Sequence, residues 1–175
     1  MGIEETRLLI VLGTAHPLQM AENCPSHERN IDDPLYAQLI KHFLKESVIP
    51  VDFVFEEASG CGPTAAEKIA DSLRVKYMDI DPHPDKRHSD GLSRGTGQTL
   101  NPPFDLVTRM FVDEQTKREE FWAQRIAKGQ FQAGLVICGL VHSLSLSQRL
   151  TMQGFEVHAH YYVPYDKLCR RSHSV

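Results

Sequence analysis

The chain has 175 residues, with 19 Lys plus Arg, 23 Asp plus Glu and nine His, and a formal net charge of −4. That length suits one domain of about 100–200 residues with a substantial core, and 41% hydrophobic with 24% charged residues excludes disorder for most of the chain. The mild acidity supplies no general electrostatic reason to bind nucleic acid, and no stretch approaches the roughly 20 apolar residues of a membrane span.

Taken in order, strands alternate with helices. Leu8 to Leu12 is a short aliphatic run ending at Gly13, as expected of a strand buried on both faces. From Pro34 to Val48 the apolar residues Leu35, Leu39, Ile40, Phe43 and Leu44 form the stripe of an amphipathic helix, with Pro34 suited to its first turn. Val51 to Glu56 reads as a second strand. Thr64 and Glu67 then make a capping box ahead of Ala65, Ala66, Ile69, Ala70 and Leu73. Val75 to Ile80 is a third strand, and the proline-rich segment from Asp81 to Pro103 reads as a long loop or lid. Asp105 to Lys128 is helical, with a break expected near Asp113. Leu135 to Cys138 is a fourth strand, a helix starts at Ser143 or Ser145 and ends at Gly154, and Phe155 to Val163 is a fifth strand. The basic tail from Lys167 to Arg171 is expected to fray. This order predicts a single α/β domain over residues 1–175, with a mainly parallel sheet of about five strands and helices on both faces.

The amino-terminal apolar run has acidic neighbours, Glu4 and Glu5, where a signal peptide carries positive charge. Cys24, Cys61, Cys138 and Cys169 form no CxxC pair, which argues against a structural zinc site and gives no disulfide framework. A cytoplasmic, reduced location is expected, with Cys138 a buried free thiol.

In parallel α/β sheets ligands bind beyond the carboxyl ends of the strands. His16 follows the first strand, Glu56 and Glu57 end the second, Asp79 and Asp81 the third, and His142 follows the fourth. Singly, such a histidine is often a helix cap, and such a glutamate is commonly solvated. Together they place like charges at one edge, at a cost that needs compensation, which favours a site. Weaker candidates are His158 and His160 on one face of the fifth strand, and Gly95 and Gly97 with Lys86, Arg87 and Arg94 as an anion cradle. His27, His42, His83, His88 and His173 need no functional explanation, and Trp122 is read as core.

Four segments carry a resemblance. Leu9-Ile-Val-Leu-Gly-Thr-Ala-His16 resembles the opening Gly-Thr-x-His strand of the TraB/PrgY family, which groups with the ChaN-like, TIKI and erythromycin esterase proteins. Val51 to Glu56 resembles its second strand, ending in an acidic residue. Arg118-Glu-Glu-Phe-Trp122 is similar to its helical Arg-Asp/Asn-x-x-Met pattern, with Glu119 and Trp122 as departures. Leu135 to His142, with Leu150 and Gly154 beyond, is similar to its strand-Gly-x-x-His motif. The resemblance implies a hydrolase, such as a metal-dependent protease or an esterase.

Two histidines with carboxylates suit a divalent metal such as zinc, manganese or cobalt, held by His16, Glu56 and His142, with Glu57 or Asp81 orienting a water. A metal-free version keeps the same residues, a histidine acting as general base and a carboxylate fixing its tautomer. Arg118 would steady an oxyanion or a substrate anion, and its plain alternative is an i, i+4 pair with Glu114. Asp81 and Glu119 are candidates for substrate binding. The expected partner is a small-molecule or peptide substrate, with no nucleic acid and no membrane, and a homo-oligomer is compatible with the sequence. The competing reading is a non-catalytic binding module for an anionic metabolite or nucleotide.

Overall fold

A computed structural model describes residues 6–15, 18–19, 33–58, 62–81 and 104–164, the backbone alone at 104–111. In chain order the elements are β1 (Leu8–Thr14), α1 (Pro34–Glu46), β2 (Phe53–Glu56), α2 (Ala65–Leu73), β3 (Lys76–Asp79), α3 (Phe104–Lys128), β4 (Ala133–Gly139), α4 (Leu140–Met152) and β5 (Glu156–Tyr162). The strands form one five-stranded sheet in the order β3-β2-β4-β1-β5, and every neighbouring pair is parallel. The expected single α/β domain is therefore the observed architecture.

Both faces of the three inner strands are apolar because both are covered. Ile10, Leu12, Val54, Leu135 and Ile137 pack on one face with Tyr36, Ile40, Phe43 and Leu44 of α1 and Ala66, Ile69 and Ala70 of α2. Leu9, Val11, Phe53, Phe55, Val136 and Cys138 alternate with them and meet Trp122, Ala123 and Ile126 of α3 and Leu146 and Leu150 of α4. The chain crosses the sheet one way through α1 and α2 and returns through α3 and α4. Right-handed crossovers then put the two helix pairs on opposite faces.

Local chemistry sets the element ends. The Asp33 carboxylate accepts from the Leu35 and Tyr36 amides at 2.9 and 3.2 Å, capping α1 over Pro34. Thr64 accepts from the Glu67 amide at 3.1 Å, as the capping-box pattern predicts. Three expectations are corrected. The helix over 104–128 is unbroken at Asp113, since it contains neither Gly nor Pro to interrupt it. β1 runs to Thr14 through Gly13 rather than ending there. The glycine answers a close approach, because a Cβ at Gly13 would lie 2.7 Å from the Ser143 Cβ of α4. Finally, α4 starts at Leu140, directly off β4, with Gly139 as N-cap and no intervening loop.

Among the described residues no helix is long and apolar enough to cross a membrane. The loop expected from Asp81 to Pro103 lies outside the described residues beyond Asp81, as does the tail from Lys167 to Arg171.

Candidate functional site at the carboxyl edge of the sheet

The pairing of β2 with β4 continues one residue past the strand, where the Glu57 amide donates to the Ile137 carbonyl at 2.8 Å. Side chains on extended backbone alternate, so the two adjacent glutamates are sent to opposite faces. Glu56 enters the α1/α2 side and Glu57 the α3/α4 side. The carboxyl edge therefore carries two polar clusters separated by the sheet itself.

The α3/α4 cluster is built from four elements. Glu57 spans two of them: one carboxylate oxygen accepts from the Gly139 amide at 2.7 Å, at the amino end of α4, and the other accepts from Arg118 at 2.8 Å. The same Arg118 nitrogen, Nη2, also reaches Asp81 at 2.9 Å. Asp81 takes the Trp122 indole N–H at 3.2 Å through its other oxygen. His142, in the first turn of α4, places Nδ1 3.0 Å from Glu119 and Nε2 3.7 Å from Glu57. Its ring stands edge-on to Trp122 with centroids 4.8 Å apart, and the Arg118 guanidinium lies over the same indole at 4.8 Å. Ser145 donates to Glu119 at 2.7 Å and Arg149 at 3.3 Å, closing the network from the next turns of α4.

Every member of this cluster is placed by a hydrophobic register. Trp122 is fully buried on the core side of α3, and Arg118 and Glu119 lie one turn before it, so they are brought to the sheet edge. His142, Ser145 and Arg149 follow one another at three and four residues along α4, alongside the buried Leu146 and Leu150. Glu57, Asp81, Glu119 and His142 are all at most 4% exposed.

The electrostatics follow from burial and pairing. Burial works against the charge of Arg118, but Asp81 and Glu57 outweigh it and hold the guanidinium more firmly protonated than usual. Burial also pushes the Glu119 carboxyl up, and the hydrogen bonds from His142, Ser145 and Arg149 prevail, leaving it below the usual carboxylate range. An ionised Glu119 can only accept, so the His142 Nδ1 carries the hydrogen of their contact. The Cys138 thiol beneath the cluster is raised by burial, then by Glu57 and Glu119, so it is an inert core residue and no nucleophile.

Glu56 has a different environment. It is fully buried against Thr64, which donates to it from the N-cap of α2, and Tyr77 of β3, whose hydroxyl donates at 2.8 Å. Burial raises its pKa to about 8, with Asp79 and Glu67 adding to the rise and the Thr64 and Tyr77 bonds opposing it.

Of the site residues read from the sequence, the structure brings together Glu57, Asp81, Arg118, Glu119 and His142. It does not bring Glu56 to them. The grouping of Glu56 with His142 as ligands of one metal is corrected, because alternation after β2 turns the two side chains to opposite faces. His16 lies outside the described residues, as do His27, His83, His88, His173 and the Gly95–Gly97 loop. Arg118 pairs with Glu57 and Asp81 rather than with Glu114. His158 pairs with Glu156 at 3.0 Å on the exposed edge strand, while His160 tilts against Phe43 and His42 pairs with Glu46 on the α1 surface. Ser145 and Arg149 are members the sequence reading missed. Their spacing from His142 is the signal that finds them once α4 is started at Leu140.

Glu57 and Asp81 already share the guanidinium of Arg118 as their cation, and among the described residues no group of three His, Cys, Asp or Glu side chains is placed to hold a metal ion. A divalent metal therefore rests on the resemblance and on His16, and the described residues do not by themselves make its ligand set.

What the geometry defines is a parallel α/β protein with a buried histidine–carboxylate–arginine cluster at the carboxyl edge of its sheet. No protein-family model, no curated protein and no solved structure matches the chain.

Proposed function

We propose that this chain is a cytoplasmic hydrolase, similar in kind to the TraB/PrgY and erythromycin esterase-like proteins, acting on an ester or peptide bond with His142 as general base. One observation carries the reading. The His142 ring is held at Nδ1 by an ionised carboxylate, and Nε2 faces the Glu57–Arg118 pair at the edge where substrates enter such folds. Glu119 fixes the tautomer, leaving the Nε2 lone pair to take a proton from water as its oxygen attacks the substrate carbonyl. The electron pair displaced from the carbonyl becomes an oxyanion. Arg118 meets it through Nη1 or Nε, since both of its carboxylate bonds leave from Nη2 and its buried Nε has no hydrogen-bond partner. Collapse of the intermediate expels the leaving group, which takes the proton from His142. Glu57, near Nε2, stabilises the imidazolium in between.

Turnover on panels of esters and short peptides tests the reading. His142→Ala should lower kcat by about 10²–10⁴-fold, and Glu119→Gln should lower it while moving the acid limb of its pH profile to lower pH, because the imidazolium loses its carboxylate partner. Unchanged turnover in His142→Ala would overturn the assignment. The spare donors of Arg118 also favour a second reading, a binding module for an anionic metabolite or nucleotide. A ligand retained through purification, with no turnover on prolonged incubation, selects it.

A further inference from the structure

The opposite face of the same edge carries a polar cluster that the proposed reaction does not use. Glu56 Oε2 receives both Tyr77 and Thr64, and Oε1 receives nothing. Thr14 Oγ1 at the end of β1, the Tyr36 hydroxyl on α1, and both Oε1 and Nε2 of Gln19 in the turn after β1 are likewise buried without a hydrogen-bond partner. These are five of the six such side-chain atoms among the described residues, and the sixth is on Arg118. Buried polar groups are paired as a rule, so their concentration in one region calls for a ligand.

Register and packing bring Thr14, Tyr36 and Glu56 to one face, and Gln19 directly follows Leu18, which packs in the same core layer. Glu56 lies beside Ile137 of β4, which lies beside Leu12 of β1, and Thr14 is the next residue along β1 on that face. Thr14 neighbours Tyr162 of β5, which stacks on Tyr36 with centroids 5.9 Å apart. The Tyr36 hydroxyl is in turn within reach of the Glu56 charge. Both donors bond Oε2, which leaves Oε1 as the buried oxygen without a hydrogen-bond partner. Thr64, Tyr77, Asp79 and Glu67 are the leading influences on its charge besides burial, and none of these four is a cation. The Glu56 carboxylate, two hydroxyls and the Gln19 amide make an oxygen-rich group beside the stacked rings of Tyr36 and Tyr162, and Tyr162 in turn donates to the Asp33 carboxylate at 2.9 Å.

We propose that the α1/α2 side of the carboxyl edge is a second binding site, for a small monovalent cation such as a protonated primary amine, with Glu56 as its charged acceptor and Thr14, Tyr36 and Gln19 as neutral ones. The site stands on its own face of the sheet and does not depend on the role given to His142. A hydrogen-bonding ammonium uses several of these acceptors at once, and the adjacent Tyr36 and Tyr162 rings suit the carbon end of an organic cation better than a bare ion.

The test is the thermal midpoint of the full chain at constant ionic strength and about pH 8.5, where a carboxyl of this kind is ionised. Methylammonium chloride and potassium chloride are compared with tetramethylammonium chloride, which has no N–H to donate. Methylammonium should raise the midpoint in a saturable way. That rise should vanish in Glu56→Gln, an isostere that still accepts from Thr64 and Tyr77, and shrink in Tyr36→Phe and Thr14→Val. A rise with potassium equal to that with methylammonium assigns the site to a bare ion and overturns the amine preference. Equal midpoints in all three salts, or a methylammonium response undiminished in every variant that folds, overturn the site. Far-UV circular dichroism confirms that each variant folds, and any one folded variant is enough to decide.

Discussion

Glu56 and Glu57 differ by one position and by the whole thickness of a sheet, and that separation gives them opposite chemistry. Glu57 is ion-paired with Arg118 and capped by the amino end of α4. Glu56 has only hydroxyl partners, and burial first, then Asp79 and Glu67, raise it from 4.5 to about 8. Because its folded pKa is raised, the stability it contributes is full below pH 4.5 and is lost as pH rises through about 8. Asp79, raised chiefly by burial from 3.8 to about 6, acts with the same sign in a lower window. Urea unfolding at a series of pH values should show stability declining over that span, at up to about 1.4 kcal/mol per pH unit for the Glu56 proton. Glu56→Gln should flatten the decline between about pH 6 and 8, and an unaltered slope would show that another group carries it. Across the sheet the expectation is different. Arg118→Met leaves Glu57 and Asp81 buried together without their cation and should cost about 3–5 kcal/mol. Arg118→Met with Glu57→Gln should recover part of that loss, measurable as a coupling energy in a double-mutant cycle.

At the scale of elements, the junction of β4 with α4 decides how the site is assembled. The helix begins where the strand ends, so His142 lies in a first turn whose Gly139 amide is bound by Glu57, a side chain 82 residues away in sequence. Helix starts are read from Ser, Thr, Asp or Asn at the cap. A cap supplied from another strand leaves no local trace, which is why Ser143 or Ser145 is the natural guess. The apolar runs of β1, β2 and β4 and the stripe of α1 were legible because burial imposes their periodicity directly. The edge position of Glu57, Asp81 and His142 was legible too, since it follows from strand ends. The separation of Glu56 from Glu57 was not, because it depends on how far β2 stays paired with β4. The partners of Glu119 were hidden for a related reason: His142, Ser145 and Arg149 share a face only when the helix has its true start. Gly13 tests this junction. A methyl there meets Ser143 Cβ and Oγ at 2.7 Å and the Tyr161 ring at 3.1 Å, so Gly13→Ala should push α4 off β1. We expect a loss of about 1–3 kcal/mol in urea unfolding, together with weakened turnover because His142 rides on the displaced turn. Wild-type stability in Gly13→Ala would mean that α4 yields without cost.

Across the whole molecule, the two ends of the sheet divide the work of holding the fold and of doing chemistry. At the amino edge, Arg7 donates to the Ala127 and Gly129 carbonyls at 3.2 and 3.0 Å, satisfying the carboxyl end of α3. Its guanidinium also lies over the Phe131 and Phe155 rings at 5.0 and 4.5 Å. One side chain thus ties together the start of β1, the end of α3 and the approaches to β4 and β5. The polar cluster of Glu57, Asp81, Arg118, Glu119 and His142 lies at the other end of the same strands and shares none of these contacts. α3 runs the length of the domain and is the element common to both, fastened by Arg7 at its carboxyl end and contributing Arg118, Glu119 and Trp122 nearer the site. If its 25 residues behave as a stiff rod, loosening one end costs stability without moving the other. Arg7→Met keeps the aliphatic stem against the two rings and deletes the hydrogen bonds and the cation–π contact. It should therefore lower unfolding free energy by about 1–3 kcal/mol. At temperatures well below its midpoint, kcat/KM on any substrate the wild type turns over should be unchanged, as should the methylammonium response. A parallel fall in stability and in kcat/KM would instead show that α3 transmits displacement from the amino edge to His142, and that the two ends of the sheet are coupled.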